Sequence, residues 1–134
     1  MNMPAAATMG DKVIATDIHI ILIPAPPGPP IPTPLPHPFA GTITSNCSTN
    51  VLINNKPAAT LGSIAMNTPP HIPQGGPFQI PPTNQANIIK GSLTVLINNK
   101  PAARMGDTAT TCNDPAPLPS GTVMGAATTV QIGG

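Results

Sequence analysis

Short apolar runs alternate along this chain with clusters of Pro, Gly, Asn and Ser, and one such unit is written twice. The stretch VLINNKPAA stands at Val51–Ala59 and again at Val95–Ala103. Val-Leu-Ile is apolar and largely β-branched, which suits a strand. Asn-Asn follows, and Asn tolerates the positive φ that a two-residue hairpin turn requires. The return arm Lys-Pro-Ala-Ala carries Pro57 or Pro101. A proline cannot donate to a ladder, so this arm is expected at a sheet edge. Each copy therefore reads as a short β-hairpin ending in Gly-Ser or Gly-Asp. Across Thr49–Ser63 and Leu93–Asp107, ten of fifteen aligned positions are identical.

Two half-copies flank these. AATMGD at Ala6–Asp11 matches the return arms Ala58–Ser63 and Ala102–Asp107, with no outgoing arm before it. TVQIGG at Thr129–Gly134 matches the outgoing arm TVLINN at Thr94–Asn99, with no return. Together they predict a third hairpin, split between 4–11 and 128–134. The repeat then closes into a ring with approximate threefold symmetry, and the two ends of the chain meet. Closure also hides strand edges, a need of any small β protein. A linear solenoid with frayed ends is the alternative, but it has no use for half-repeats in complementary phase. The expectation is an all-β fold of short hairpins, one domain over 1–134.

Composition narrows the picture. Of 134 residues, 21 are Pro and 12 are Gly, charged residues make up 7%, and Phe39 and Phe78 are the only aromatics. A core so poor in large side chains needs help from a disulfide, a metal or a partner surface, because ordering costs roughly 1.5 kcal/mol per residue. The formal net charge of +1 offers no basic footprint for nucleic acid. The start MNMPAAATMGD lacks a basic n-region and an apolar h-region, so synthesis in the cytoplasm without a signal peptide is expected. The most apolar run, Ile18–Pro24, is too short to span a bilayer. The segment Pro24–Pro38 reads as a stiff, proline-rich loop.

The chemistry-bearing residues are few. His19 lies 8 residues after Asp11, His71 lies 8 after Ser63, and Cys112 lies 5 after Asp107. Each repeat thus places one potential metal ligand shortly after its Gly-Asp or Gly-Ser, and a threefold ring would converge the three on its axis. His37, within LPHPF, is a fourth. Three imidazoles and a thiolate form a tetrahedral set that suits Zn²⁺. The alternative is that the histidines are unrelated loop residues. Cys47 aligns with Gly91 and reads as a buried small hydrophobe, with a Cys47–Cys112 disulfide the other option. The chain has no Glu, and Asp11 and Asp107 are taken up as hairpin ends. Four protein ligands describe a closed structural site, whereas a hydrolytic zinc site keeps one position open.

The segment GSLTVLINNKPAARMGD at Gly91–Asp107, with Pro-Ala-Ala-Arg at Pro101–Arg104, resembles the signature of PAAR-repeat proteins. The resemblance extends over nearly the whole chain. It implies a small cone of β-hairpins with pseudo-threefold symmetry, Pro/Gly-rich loops and a tip braced by one structural Zn²⁺ on three His and one Cys. Carried over by position, the ligands are His19, His37, His71 and Cys112. It also implies a non-enzymatic, membrane-piercing tip that caps the trimeric spike of a contractile injection machine, either type VI secretion or an extracellular phage-tail-like particle. One tip per trimer is expected, leaving the bacterium as part of the apparatus on firing and meeting the target membrane transiently. An adaptor that docks toxin cargo on the spike is the alternative, and a zinc-dependent hydrolase a further one. Thr60 and Ser63 depart from the pattern, standing where the second copy has Arg104 and Asp107. No toxin domain is expected after the last repeat.

Overall fold

The computed structural model describes residues 4–125 and 130–133. Among them there are ten strands and no helix: β1 (Lys12–Ile23), β2 (Ile31–Ser45), β3 (Leu52–Ile53), β4 (Lys56–Pro57), β5 (Ile64–Asn67), β6 (Gln85–Ile88), β7 (Leu96–Ile97), β8 (Lys100–Pro101), β9 (Thr108–Thr111) and β10 (Leu118–Met124). The fold is all-β, as the apolar runs and turn residues predict.

The repeated nonapeptides form the two smallest sheets, β3–β4 and β7–β8. Their turns sit at φ 52° and 66° for Asn54 and Asn55, and at 52° and 65° for Asn98 and Asn99. Both central residues are left-handed, which is the two-residue turn that Asn-Asn favours. The amide of Ala58 donates to the Val51 carbonyl at 3.1 Å and that of Ala102 to Val95 at 3.0 Å. At the chain's two ends Ala5 pairs antiparallel with Gln131, and the Ala6 amide donates to Val130 at 2.9 Å. Thr128, Thr129 and Gly134, which the split hairpin also includes, lie outside the described residues.

Three alanines bind these units together. The amide of Ala7 donates to the carbonyl of Ala103, Ala103 to Ala59, and Ala59 back to Ala7, at 3.0, 3.0 and 2.9 Å. This cyclic triangle of backbone bonds is the pseudo-threefold axis made visible. Backbones can approach so closely because all three side chains are single, buried methyl groups. Beyond the triangle each strand turns at a glycine with positive φ: Gly10 at 97°, Gly62 at 95° and Gly106 at 90°. A side chain then caps each turn. Asp11, Ser63 and Asp107 accept the amides of Thr8, Thr60 and Arg104 at 2.8, 2.9 and 2.7 Å. Ser63 therefore replaces an aspartate without loss of the capping bond. Arg104 adds two bonds to Asp107, at 3.2 and 3.0 Å, and one to the Gly133 carbonyl at 3.3 Å.

Each turn launches a second, longer hairpin, a level of organisation that the repeated stretch does not announce. The pairs β1–β2, β5–β6 and β9–β10 join edge to edge into a closed antiparallel barrel in the order β1-β10-β9-β6-β5-β2. Its interior is filled by small side chains and a few larger ones, chiefly Val13, Phe39, Ile43, Ile88 and Val123. A second cluster of Ala6, Ile53, Ala58, Ile97, Ala102 and Ile132 packs beneath the tight hairpins.

The β1–β2 hairpin outgrows the other two. Its pairing runs without a break from Lys12↔Thr42 to Ile23↔Ile31. Most of the segment expected to be a proline-rich loop is thus strand, and only the turn beyond Ile23 is loop. The reason lies in the proline spacing. Pro32, Pro34, Pro36 and Pro38 fall on every second residue, and in an antiparallel pair alternate residues turn their N–H groups to opposite sides. Even-numbered residues of β2 point theirs away from β1, as Ala40 does in donating to Asn67 Oδ1 at 3.0 Å. The prolines therefore take only positions whose missing donor β1 does not need.

Candidate metal centre

Halfway along the long hairpin the barrel interior changes from apolar to polar. Along β1 the buried positions alternate as Val13, Ala15, Asp17, His19, Ile21, so Asp17 and His19 point inward on one face. Opposite them His37 lies inward on β2, directly paired with Asp17. His71 enters from the segment after β5, its amide held by Asn84 Oδ1 at 2.8 Å. Cys112 follows the end of β9 and is buried.

Asp17, His19, His71 and Cys112 each offer a donor atom within 4.8 Å of the other three. Asp17 Oδ2 accepts from His71 Nε2 at 2.9 Å and from the Cys112 thiol at 3.3 Å. His19 Nε2 stands 3.6 Å from Cys112 Sγ. The Thr111 hydroxyl donates to the other Asp17 oxygen. Three of the four residues singled out by sequence are in this set. The fourth, His37, stands beside it, its ring centroid 5.4 Å from that of His19 and 5.5 Å from that of His71. Its Nδ1 donates to the Leu35 carbonyl at 2.9 Å, which leaves Nε2 as its free donor atom. Phe78 closes one side, its ring 5.6 Å from His19 and 5.5 Å from His37.

Asp17 is the residue that counting offsets from the hairpins missed. The signal was present: an aspartate two residues before a histidine on an alternating strand shares its inward face. Cys47 lies outside the centre. It is a half-buried thiol packed against the barrel core, and Cys47 and Cys112 are both free rather than bridged.

Burial dominates the electrostatics of the pocket. Burial pushes the Cys112 thiol up to about 11, and the Asp17 carboxylate adds to the rise. Burial first and the neighbouring His71 second hold His19 below the ordinary histidine value, with Asp17 and Asp114 partly opposing them. Asp114 sits beside β1, its amide on the Ile18 carbonyl at 2.9 Å, and both its carboxylate oxygens are buried without a hydrogen-bond partner among the described residues. The described ion pairs bring neither Asp17 nor Asp114 to a lysine or arginine. Two buried carboxylates, a thiol and clustered imidazoles are a set that a divalent metal compensates.

A family model of the PAAR motif matches residues 36–116, more than half of the chain. The chain belongs to the PAAR motif family. It is thereby a spike-tip protein of contractile injection systems, and the family is structural rather than catalytic. The match takes in both tight hairpins, His37, His71 and Cys112, while β1 with Asp17 and His19 precedes it. No curated protein matches the chain.

Proposed function

We propose that one copy of this chain caps the blunt end of a trimeric spike and serves as its membrane-piercing point, braced by a single structural zinc. The observation that carries the reading is the Ala7–Ala59–Ala103 triangle, which builds a threefold axis into one polypeptide. A trimer ends in three equivalent surfaces, and a monomer with internal threefold symmetry can meet all three at once. The tight-hairpin end suits such docking. Leu52 and Leu96 occupy equivalent positions there and are 56% and 59% exposed, with Leu93 at 88%. At the opposite end the β1–β2 hairpin runs past its two shorter counterparts and finishes in the turn APPGPP, which suits a point.

Zinc supplies a fixed positive charge and tetrahedral bonds where segments from three parts of the chain converge. His19 on β1, His71 after β5 and Cys112 after β9 would be tied together, one from each long hairpin. Structural zinc in small domains contributes on the order of 10–16 kcal/mol of apparent folding free energy, which offsets a core short of large side chains.

Stoichiometry tests the capping. Native mass measurement of the complex with its trimeric spike protein is expected to give one chain per trimer. Three copies per trimer would refute it.

A further inference from the structure

We infer that the tight-hairpin end of the molecule is a basic collar, and that the spike surface it recognises is acidic. The inference rests on the capping reading above and names the chemistry of the partner.

The formal net charge of +1 conceals how the charges are placed. The carboxylate side chains, Asp11, Asp17, Asp107 and Asp114, are all buried. Arg104 is buried as well, paired with Asp107 at 3.0 Å. Lys12, Lys56, Lys90 and Lys100 are all exposed, and the described ion pairs include none of them. The charge presented to solvent is therefore of one sign.

Its placement is as one-sided. Lys56 and Lys100 hold equivalent positions on β4 and β8, directly after the Asn-Asn turns. Lys12 opens β1 at the lower rim of the barrel, paired across to Thr42 and Met124. Lys90 follows β6 just past Ile88, whose carbonyl accepts the Gly62 amide of a glycine turn at 2.8 Å. Above this level the described residues expose no Asp, Lys or Arg side chain. A partner recognised by charge must therefore meet the base. Exposed Leu52, Leu93 and Leu96 give the same end an apolar surface. An apolar centre within a polar rim is the usual anatomy of a specific contact, and rim charges steer a partner of opposite sign. The lysines do not form a threefold set. Pro4 stands where Lys56 and Lys100 stand in the full repeats, and Asn46 stands where the second copy has Lys90. The collar thus acts as a field felt before contact, not as three matched ion pairs.

Stopped-flow association of the full chain with its trimeric spike protein, at about 50 mM and about 500 mM sodium chloride, reads that field. The association rate constant is expected to fall at least about 10-fold across this range. Replacing Lys56 and Lys100 together, Lys56→Glu with Lys100→Glu, is expected to slow association at low salt by at least about 10-fold and to remove most of the salt dependence. One chain bound per trimer at a rate indifferent to salt would overturn the acidic surface and leave the capping intact. A chain that does not bind the spike would remove the capping reading, and this proposal with it. Vesicles of phosphatidylcholine and phosphatidylglycerol test the other anionic surface. Capture by these vesicles through Lys56 and Lys100, with no matching effect on the spike, would give the collar to the membrane and overturn the proposal. Should the double variant fail to fold, the salt dependence of the wild-type chain decides.

Discussion

Cys112 shows how much one buried side chain can set. Its thiol is raised to about 11 from the ordinary 9.0, burial first and Asp17 second. The metal-free protein therefore keeps a proton on Cys112 at alkaline pH that the unfolded chain loses. Stability from this group is complete below pH 9 and is lost as pH rises toward 11. His19 works at the other limit. Its folded value lies below 6.5, chiefly through burial, so stability is present above pH 6.5 and is lost as pH falls beneath it. The metal-free chain is expected to melt highest between about pH 6.5 and 9. Thermal unfolding of Cys112→Ser across the same range should keep the acid limb and flatten the alkaline one. An unchanged alkaline limb would show that Cys112 does not govern it. Bound zinc requires the thiolate, so metal uptake at neutral pH should also release the Cys112 proton.

Among the elements, β2 has the least expected form. Its outer edge from Ile31 to Pro38 presents proline at every outward amide position, and those prolines are exposed. An edge strand normally offers a row of donors to any passing chain. Here that row is missing, while the inward positions Thr33, Leu35, His37 and Phe39 remain free to line the interior. Replacing Pro34 and Pro36 with threonine restores two outward donors on a long hairpin. The double variant is expected to fold and then self-associate, visible as a concentration-dependent rise in mass by light scattering. A variant that stays monomeric at the concentrations where the parent does would mean the prolines serve another purpose. The tight hairpins need no such defence. Their strands are two residues long, and their return arms hydrogen-bond onward to the next repeat, as Met9 does to Pro57 and Leu61 to Pro101, both at 2.9 Å.

Taken whole, the molecule combines a threefold base with a centre that is not threefold. Below, the Ala7–Ala59–Ala103 triangle, the three glycine turns and the three capping side chains repeat closely. Above, one long hairpin supplies Asp17, His19 and His37, while the other two contribute His71 and Cys112. The base is held by backbone bonds and by a cluster of alanines with Ile53, Ile97 and Ile132. The upper barrel buries two carboxylates and a cluster of imidazoles, the set that a bound metal would brace on the proposed reading. Stripping zinc with a chelator is thus expected to lower the melting temperature by at least about 10 °C. The tight hairpins should keep their amide-exchange protection better than β1 does. Holo and metal-free forms melting within a degree of each other would rule out a brace.

The sequence by itself determined what is local. Two identical nonapeptides with Asn-Asn turns dictate two identical hairpins, because turn φ and strand propensity are properties of neighbouring residues. The half-repeats at either end carried the threefold count for the same reason. Short offsets from the capping side chains, 8, 8 and 5 residues, also brought forward His19, His71 and Cys112. Only the tertiary structure decided the rest. The barrel arises from pairing between distant segments, such as β1 with β10 and β6 with β9, whose strands share no motif. The proline run became a strand because β1 lies on one side of it and needs no donors from those positions. Asp17 entered the metal centre because His71 and Cys112 arrive from more than fifty residues away to face it, a convergence that spacing along the chain does not encode.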